Sequence, residues 1–167
     1  GVFSRRSVDQ GTQLLVETIE VPSNSTVLDV GCGYGVIGVV AARREPSTQV
    51  VMVDINRRAV ELAAMNAQRY LLTNVQVRHG DGFEPVQGMR FDAVYMNPTF
   101  RAGKQLVFGW YEAAREHLKP GGTLWVVVQK KQGAPSTEKH LQTLFGLEHV
   151  ACAARKKGYH VFRCIKI

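Results

Sequence analysis

Residues 27–35, Val27-Leu28-Asp29-Val30-Gly31-Cys32-Gly33-Tyr34-Gly35, run a hydrophobic strand into a glycine-rich turn, and a helical pattern follows directly. Glycines at such a turn let the backbone reverse sharply and approach a ligand closely, while the first turn of the following helix offers N–H groups without intrahelical partners. The spacing admits two ligands. Gly33-x-Gly35-x-x-Gly38 fits a dinucleotide fingerprint, with Asp54 about 20 residues on. Asp29, two residues before Gly31, favours the other: a carboxylate there suits the cationic amino end of S-adenosylmethionine (SAM) and would repel a pyrophosphate. Asp29 can also serve as an acceptor for the loop's own N–H groups, and the two roles are compatible.

Asp54 closes the run Val51-Met52-Val53-Asp54, at the edge where open α/β sheets bind ligands. A carboxylate there can accept from both hydroxyls of a ribose. Ile55 offers an apolar wall for adenine, and Asp81-Gly82-Phe83, after the next strand, adds an acceptor for the adenine amine and a further wall. The bland alternatives are a helix N-cap for Asp54 and a turn aspartate for Asp81. Together and in this order, the three positions converge on one nucleoside.

The elements that must carry these residues alternate between two periodicities. β-branched runs at residues 26–30, 50–54, 75–79, 91–97 and 124–128 are separated by helical patterns over 36–44, 57–72 and 105–118. This predicts an α/β, doubly wound, mostly parallel sheet. A leading helix is expected before it, with capping-box spacing at Ser7 and Gln10 and an apolar stripe of Leu14, Leu15, Thr18 and Ile19. Lys119-Pro120-Gly121-Gly122 reads as a turn ending a helix. The run 150–154, the turn 155–158 and the run 159–167 read as a C-terminal antiparallel hairpin. With no internal repeat or long linker, the chain is expected to be one domain over residues 1–167, processed or cut from a longer protein because it opens on Gly1 rather than Met.

The strand 91–96 delivers Asn97-Pro98-Thr99-Phe100 to the same sheet edge. With this tetrapeptide the chain resembles the class I SAM-dependent methyltransferases of the Asn-Pro-Pro-Phe type, which have a Rossmann-like fold. Within them it is most similar to the ribosomal small-subunit guanine-N2 methyltransferases and their single-domain relatives. The likeness covers essentially the whole chain: Gly1-Val2-Phe3-Ser4 with Asp9-Gln10-Gly11, the loop of residues 29–35, Asp54, Asp81, residues 97–100 and Pro120-Gly121-Gly122. It implies that Asn97 and Pro98 hold the target amine, that Phe100 stacks on its base, and that residues 3–11 help close the cofactor cleft. An exocyclic base amine is a poor nucleophile because its lone pair is delocalised into the ring. The Asn97 side-chain oxygen and the Pro98 carbonyl can accept its two hydrogens and leave the lone pair aimed at the methyl carbon. Thr99 departs from the family pattern, restoring an N–H and a torsional freedom that a second proline would remove.

The charge balance supports a polyanionic partner. Lys and Arg number 21 against 14 Asp and Glu, a formal net charge of +7. Arg101 and Lys104 behind the tetrapeptide, with Lys130-Lys131 and Arg155-Lys156-Lys157, are candidate phosphate contacts or plain solvated charges. RNA, ribosomal RNA or a ribosomal subunit, is the expected partner. Three cysteines without C-x-x-C spacing argue against a disulfide framework and a zinc site, and the five histidines show no ligand-like clustering. No metal is expected. No apolar run approaches the ~20 residues that span a bilayer; a cytoplasmic protein without a membrane partner is the expectation. Three other functions stay open: a methyltransferase acting on DNA adenine N6 or protein glutamine, a non-catalytic RNA-binding methyltransferase-like module, and a nicotinamide oxidoreductase, which would leave residues 97–100 without a role.

Overall fold

The computed structural model describes residues 9–167. Ser7 of the capping-box reading and the opening segment Gly1-Val2-Phe3-Ser4 lie outside the described residues. The described chain builds one seven-stranded sheet flanked by five α-helices, in the order α1 (Gln10–Thr18), β1 (Thr26–Val30), α2 (Val36–Arg44), β2 (Gln49–Asp54), α3 (Arg57–Arg69), β3 (Val75–His79), β4 (Phe91–Met96), α4 (Lys104–Glu116), β5 (Leu118–Gln129), α5 (Ala134–Phe145), β6 (Val150–Lys156) and β7 (Tyr159–Ile165). The strands lie side by side as β3-β2-β1-β4-β5-β7-β6. The first five are parallel and β7 is antiparallel to both of its neighbours. This is the doubly wound sheet with a terminal hairpin that the alternating periodicities predict.

Each strand side chain alternates between two cores. Val27, Val50, Met52, Ala93, Tyr95, Trp125 and Val127 pack with α1, α2 and α3 through Leu15, Val39 and Ala63. Leu28, Val30, Val51, Val53, Val94, Met96, Val126 and Val128 pack with α4 and α5 through Val107, Tyr111, Leu141 and Phe145. With both faces covered, the central strands read as unbroken apolar runs. The order reverses between β1 and β4, since β2 lies to one side of β1 and β4 to the other; such a switch point opens a crevice at the carboxyl ends of the strands.

Four local outcomes differ from the sequence reading. The cap of α1 is Asp9, whose side chain accepts from the Thr12 backbone N–H. Lys119-Pro120-Gly121-Gly122 is an excursion inside β5 rather than a turn before it: Phe91 pairs with Leu118 and Ala93 with Thr123. A Cβ on Gly122 would stand 2.9 Å from the Lys119 carbonyl oxygen, so the loop closes only on glycine. The hairpin turn shortens to Lys157-Gly158, both at positive φ (51° and 81°), as a two-residue type I′ turn requires. Finally α5, absent from the sequence reading, buries Ala134, Thr137, Leu141 and Phe145 at helical spacing.

Candidate active site

The loop after β1 is pinned to β2 and to itself: Cys32 N–H donates to the Val53 carbonyl (2.9 Å) and Gly35 N–H returns to the Cys32 carbonyl (3.0 Å). Gly31 and Gly33 sit at φ of 69° and 57°, and a Cβ on either would meet nothing within 4 Å. Glycine is thus required there for backbone conformation, and the space above the loop is open. Gly35 serves otherwise: it caps α2, and a Cβ on it would press on Ala63 at 3.1 Å.

Asp29 is completely buried beneath this loop. Its Oδ2 accepts from Gly38 N–H in the first turn of α2 at 2.9 Å, while Oδ1 has no hydrogen-bond partner. Burial pushes its pKa up to about 7, opposed by the Gly38 N–H and reinforced by the negative charge of Asp54. Asp29 therefore supports the loop and lines none of the three cavities described below. Its orphaned oxygen is a buried acceptor without a donor.

Asp54, at the end of β2, accepts from Gly33 N–H through Oδ2 (2.9 Å) and from Asn56 N–H through Oδ1 (2.8 Å). Asn56, not Asp54, caps α3 by accepting from Arg58 and Ala59 N–H. Each Asp54 oxygen keeps a further lone pair for a diol.

These groups line a cleft of about 240 Å³ in which Gly31, Asp54, Ile55, Asp81, Gly82, Asn97, Pro98 and Thr99 meet. Phe83 is not among them: its ring is in the core, 4.9 Å from that of His117. The aromatic wall comes instead from Trp110 on α4. No local pattern marks Trp110, one large residue among several on an amphipathic helix. A second cavity of about 190 Å³ lies on the other side of Asn97 and Gly31, bordered by Asp9, Thr12, Cys32, Gly33 and Tyr34. On the outer side of Thr99 is an open hollow with Phe100, Arg101 and Gln132. Asn97 and Thr99 thus mark the two ends of the central cleft. Lys104 is exposed, its ammonium 5.7 Å from the Phe108 ring centre, and borders none of the three cavities.

The tetrapeptide is held from behind. β4 lies between β1 and β5, with Met96 opposite both Val30 and Val126, and Tyr95 donates its hydroxyl to the Glu20 carbonyl at 2.8 Å. Thr99 caps a short 3₁₀ turn over Phe100–Ala102, its hydroxyl accepting from Arg101 N–H. That bond supplies some of the stiffness the missing proline would give. Thr99 φ is −100°, within a modest shift of proline's range. Thr99→Pro is therefore expected to leave the methyl-transfer rate within about tenfold of wild type, as measured in single turnover.

Fold and cleft together are those of a Rossmann-like methyltransferase of the SAM-dependent kind. The chain belongs to the family described as methyltransferase small domain, whose model matches residues 1–163. It is 43% identical over 169 residues to an uncharacterized protein of Bacillus subtilis (strain 168), YbxB, covering 100% of this chain and 83% of that one. It is 40% identical over 137 residues to ribosomal RNA small subunit methyltransferase C of Mannheimia succiniciproducens, covering 76% of this chain and 39% of that one. Among solved structures, the Thermus thermophilus 16S rRNA N2 G1207 methyltransferase RsmC, in complex with AdoMet and guanosine, superposes with a TM-score of 0.84 at 26% identity, over 99% of this chain and 45% of that one. The chain therefore spans less than half the length of these ribosomal RNA methyltransferases. Among the described residues no helix is long and apolar enough to cross a membrane, and no group of three His, Cys, Asp or Glu side chains could hold a metal ion.

Proposed function

We propose that the chain transfers a methyl group from SAM to an exocyclic amine of an RNA base, namely guanine N2 in ribosomal RNA. The observation that carries this reading is the position of Asn97 between two cavities of different chemistry. On one side, Asp54, Ile55 and Asp81 suit a nucleoside; on the other, the glycine loop, with the buried Asp29 carboxylate beneath it, suits a charged amino-acid end. When bound, SAM supplies an electrophilic methyl carbon on a sulfonium sulfur. Asn97 Oδ1 and the Pro98 carbonyl accept the two N–H hydrogens of the target amine and stabilise the positive charge that develops on its nitrogen. Phe100, beyond Thr99, provides a face for the unstacked base, a contact worth ~1–3 kcal/mol.

RNA is favoured over protein as the acceptor by charge as well as by the relatives. Lys130 N–H donates to the Gly158 carbonyl at 2.8 Å, joining the basic turns Lys130-Lys131 and Lys157-Gly158 at the carboxyl edge of the sheet. His160 beside them has its pKa lowered by partial burial and by the positive charges of Arg155 and Lys130. Gln132, next along, borders the hollow that holds Phe100 and Arg101. A phosphate backbone thus has a positive path toward the base site. Guanine N2 rests on likeness to the Thermus thermophilus N2 G1207 methyltransferase.

The test is incubation with labelled SAM and separate pools of ribosomal RNA, DNA and protein, followed by mass spectrometry of the nucleosides. N2-methylguanosine from RNA is expected; label confined to DNA or protein would overturn the proposal. For the cofactor, Asp54→Ala should weaken SAM binding about tenfold by calorimetry, about 1–2 kcal/mol for polar groups left unpaired. Unchanged affinity would remove Asp54 from the site.

A further inference from the structure

The Asn97 carboxamide can do its proposed work in only one of its two orientations. With Oδ1 toward the substrate it accepts an amine hydrogen; turned over, it would point its own N–H groups at another amine. Nothing in residues 97–100 decides between the two.

The decision comes from α1, 85 residues earlier in the chain. Asn97 Nδ2 donates to Thr12 Oγ1 at 2.9 Å. Thr12 in turn lies against the N-cap of its own helix: Asp9 Oδ1 accepts from Thr12 N–H at 2.7 Å, and Oδ2 accepts from the Thr12 hydroxyl at 3.3 Å. An ionised carboxylate only accepts, so it draws the hydroxyl proton to itself and leaves the Thr12 oxygen with lone pairs alone for Asn97. An Asn97 oxygen turned toward Thr12 would meet an oxygen whose proton is already engaged. The amide nitrogen therefore faces Thr12, and Oδ1, on the opposite branch, faces away from it. The start of α1 is itself seated firmly, since Gly11 packs so close to Tyr159 on β7 that a Cβ would stand 2.9 Å from its ring.

We propose that Thr12, polarised by Asp9, is a positioning residue that fixes the acceptor face of the Asn97 carboxamide. The proposal rests on the reading of Asn97 as the amine-orienting residue.

Thr12→Val keeps the shape and removes the hydroxyl, whereas Thr12→Ser keeps the hydroxyl. In the ligand-free proteins, hydrogen exchange of the Asn97 side-chain N–H groups, followed by NMR, should quicken at least tenfold in Thr12→Val and stay near wild type in Thr12→Ser; the same spectra report whether each variant is folded. Single-turnover methylation at saturating SAM should slow about tenfold in Thr12→Val and recover in Thr12→Ser. Wild-type exchange and rate in Thr12→Val would overturn the proposal, and so would a loss confined to SAM affinity, which would make Thr12 a cofactor ligand. If the wild-type protein methylates no RNA, the acceptor reading fails by itself, and the exchange measurement still decides whether Thr12 orients Asn97.

Discussion

Replacing Asn97 by alanine is expected to lower the single-turnover rate of methyl transfer about 100-fold or more, the scale of losing one transition-state hydrogen bond. SAM affinity should be almost unchanged. The asymmetry follows from where Asn97 stands. It borders both cavities, yet its nitrogen is committed to Thr12 and its oxygen is proposed to serve the incoming amine. Ground-state contacts to a nucleoside are proposed to fall instead to Asp54, Ile55, Asp81 and Trp110, which line the central cleft. The tetrapeptide follows directly on Met96, the end of a central strand paired on both sides, and Thr99 caps the turn that carries Phe100, so the truncation should not displace Pro98 or Phe100. An Asn97→Ala protein that methylates at the wild-type rate would assign the amine to other acceptors. One that loses SAM binding in proportion to rate would make Asn97 part of the cofactor site.

The second large effect concerns stability. Asp29 is fully buried, with a pKa pushed up to about 7 from an ordinary value of 3.8. The unfolded chain releases this proton near pH 4, whereas the folded protein holds it until about pH 7. Stability from this group is therefore fully present below pH 4, falls as pH rises from about 4 to 7, and is constant above that. At 1.36 kcal/mol per pKa unit, the fall between pH 5 and pH 8 is roughly 3 kcal/mol. In Asp29→Asn the amide cannot ionise, and the difference in unfolding free energy between the two proteins isolates Asp29 from every other titrating group. We expect that difference to shift toward the variant by about 3 kcal/mol from pH 5 to pH 8 in urea titrations. The variant carries a pH-independent cost of about 1–3 kcal/mol for placing an amide N–H where Oδ1 lacks a partner. A difference that stays flat across this range would show that Asp29 is ionised throughout, and hence compensated in the folded protein.

Much of this arrangement is written locally in the chain. The run Val50 to Asp54 announces its strand because both faces are covered, and Gly31 and Gly33 announce a turn that only glycine can make. The ends of α3 and α4 were harder to place: Leu71 turns back in the left-handed region, and Leu118 is taken by β5. α5 stayed hidden behind Gly133-Ala134-Pro135, which reads as a loop although proline is well suited to a first helical turn. The cleft residues Asp54, Ile55, Asp81 and Gly82 follow their strand ends and could be placed from the order of elements alone. Two features could not. Phe83 and Trp110 are both aromatic, and only the packing of α4 over the sheet decides which one is at the wall and which is in the core. The bond from Thr12 to Asn97 joins a helix to a strand end far along the chain, and no local pattern encodes it.

The place of β7 has a consequence for biosynthesis. It is made after the six other described strands, yet it occupies an interior position between β5 and β6 and touches Gly11 of the first described helix through Tyr159. While residues 159–165 are still being synthesised, β5 presents an open edge of unpaired backbone groups, and β6 has no strand against which to pair. Contacts of this sequence separation form late and slowly. The support under Thr12, and with it the site, thus waits for residues 159–165. A nascent protein would carry its glycine loop, Asp54 and Asn97 out of the ribosome well before Tyr159 is in place against Gly11.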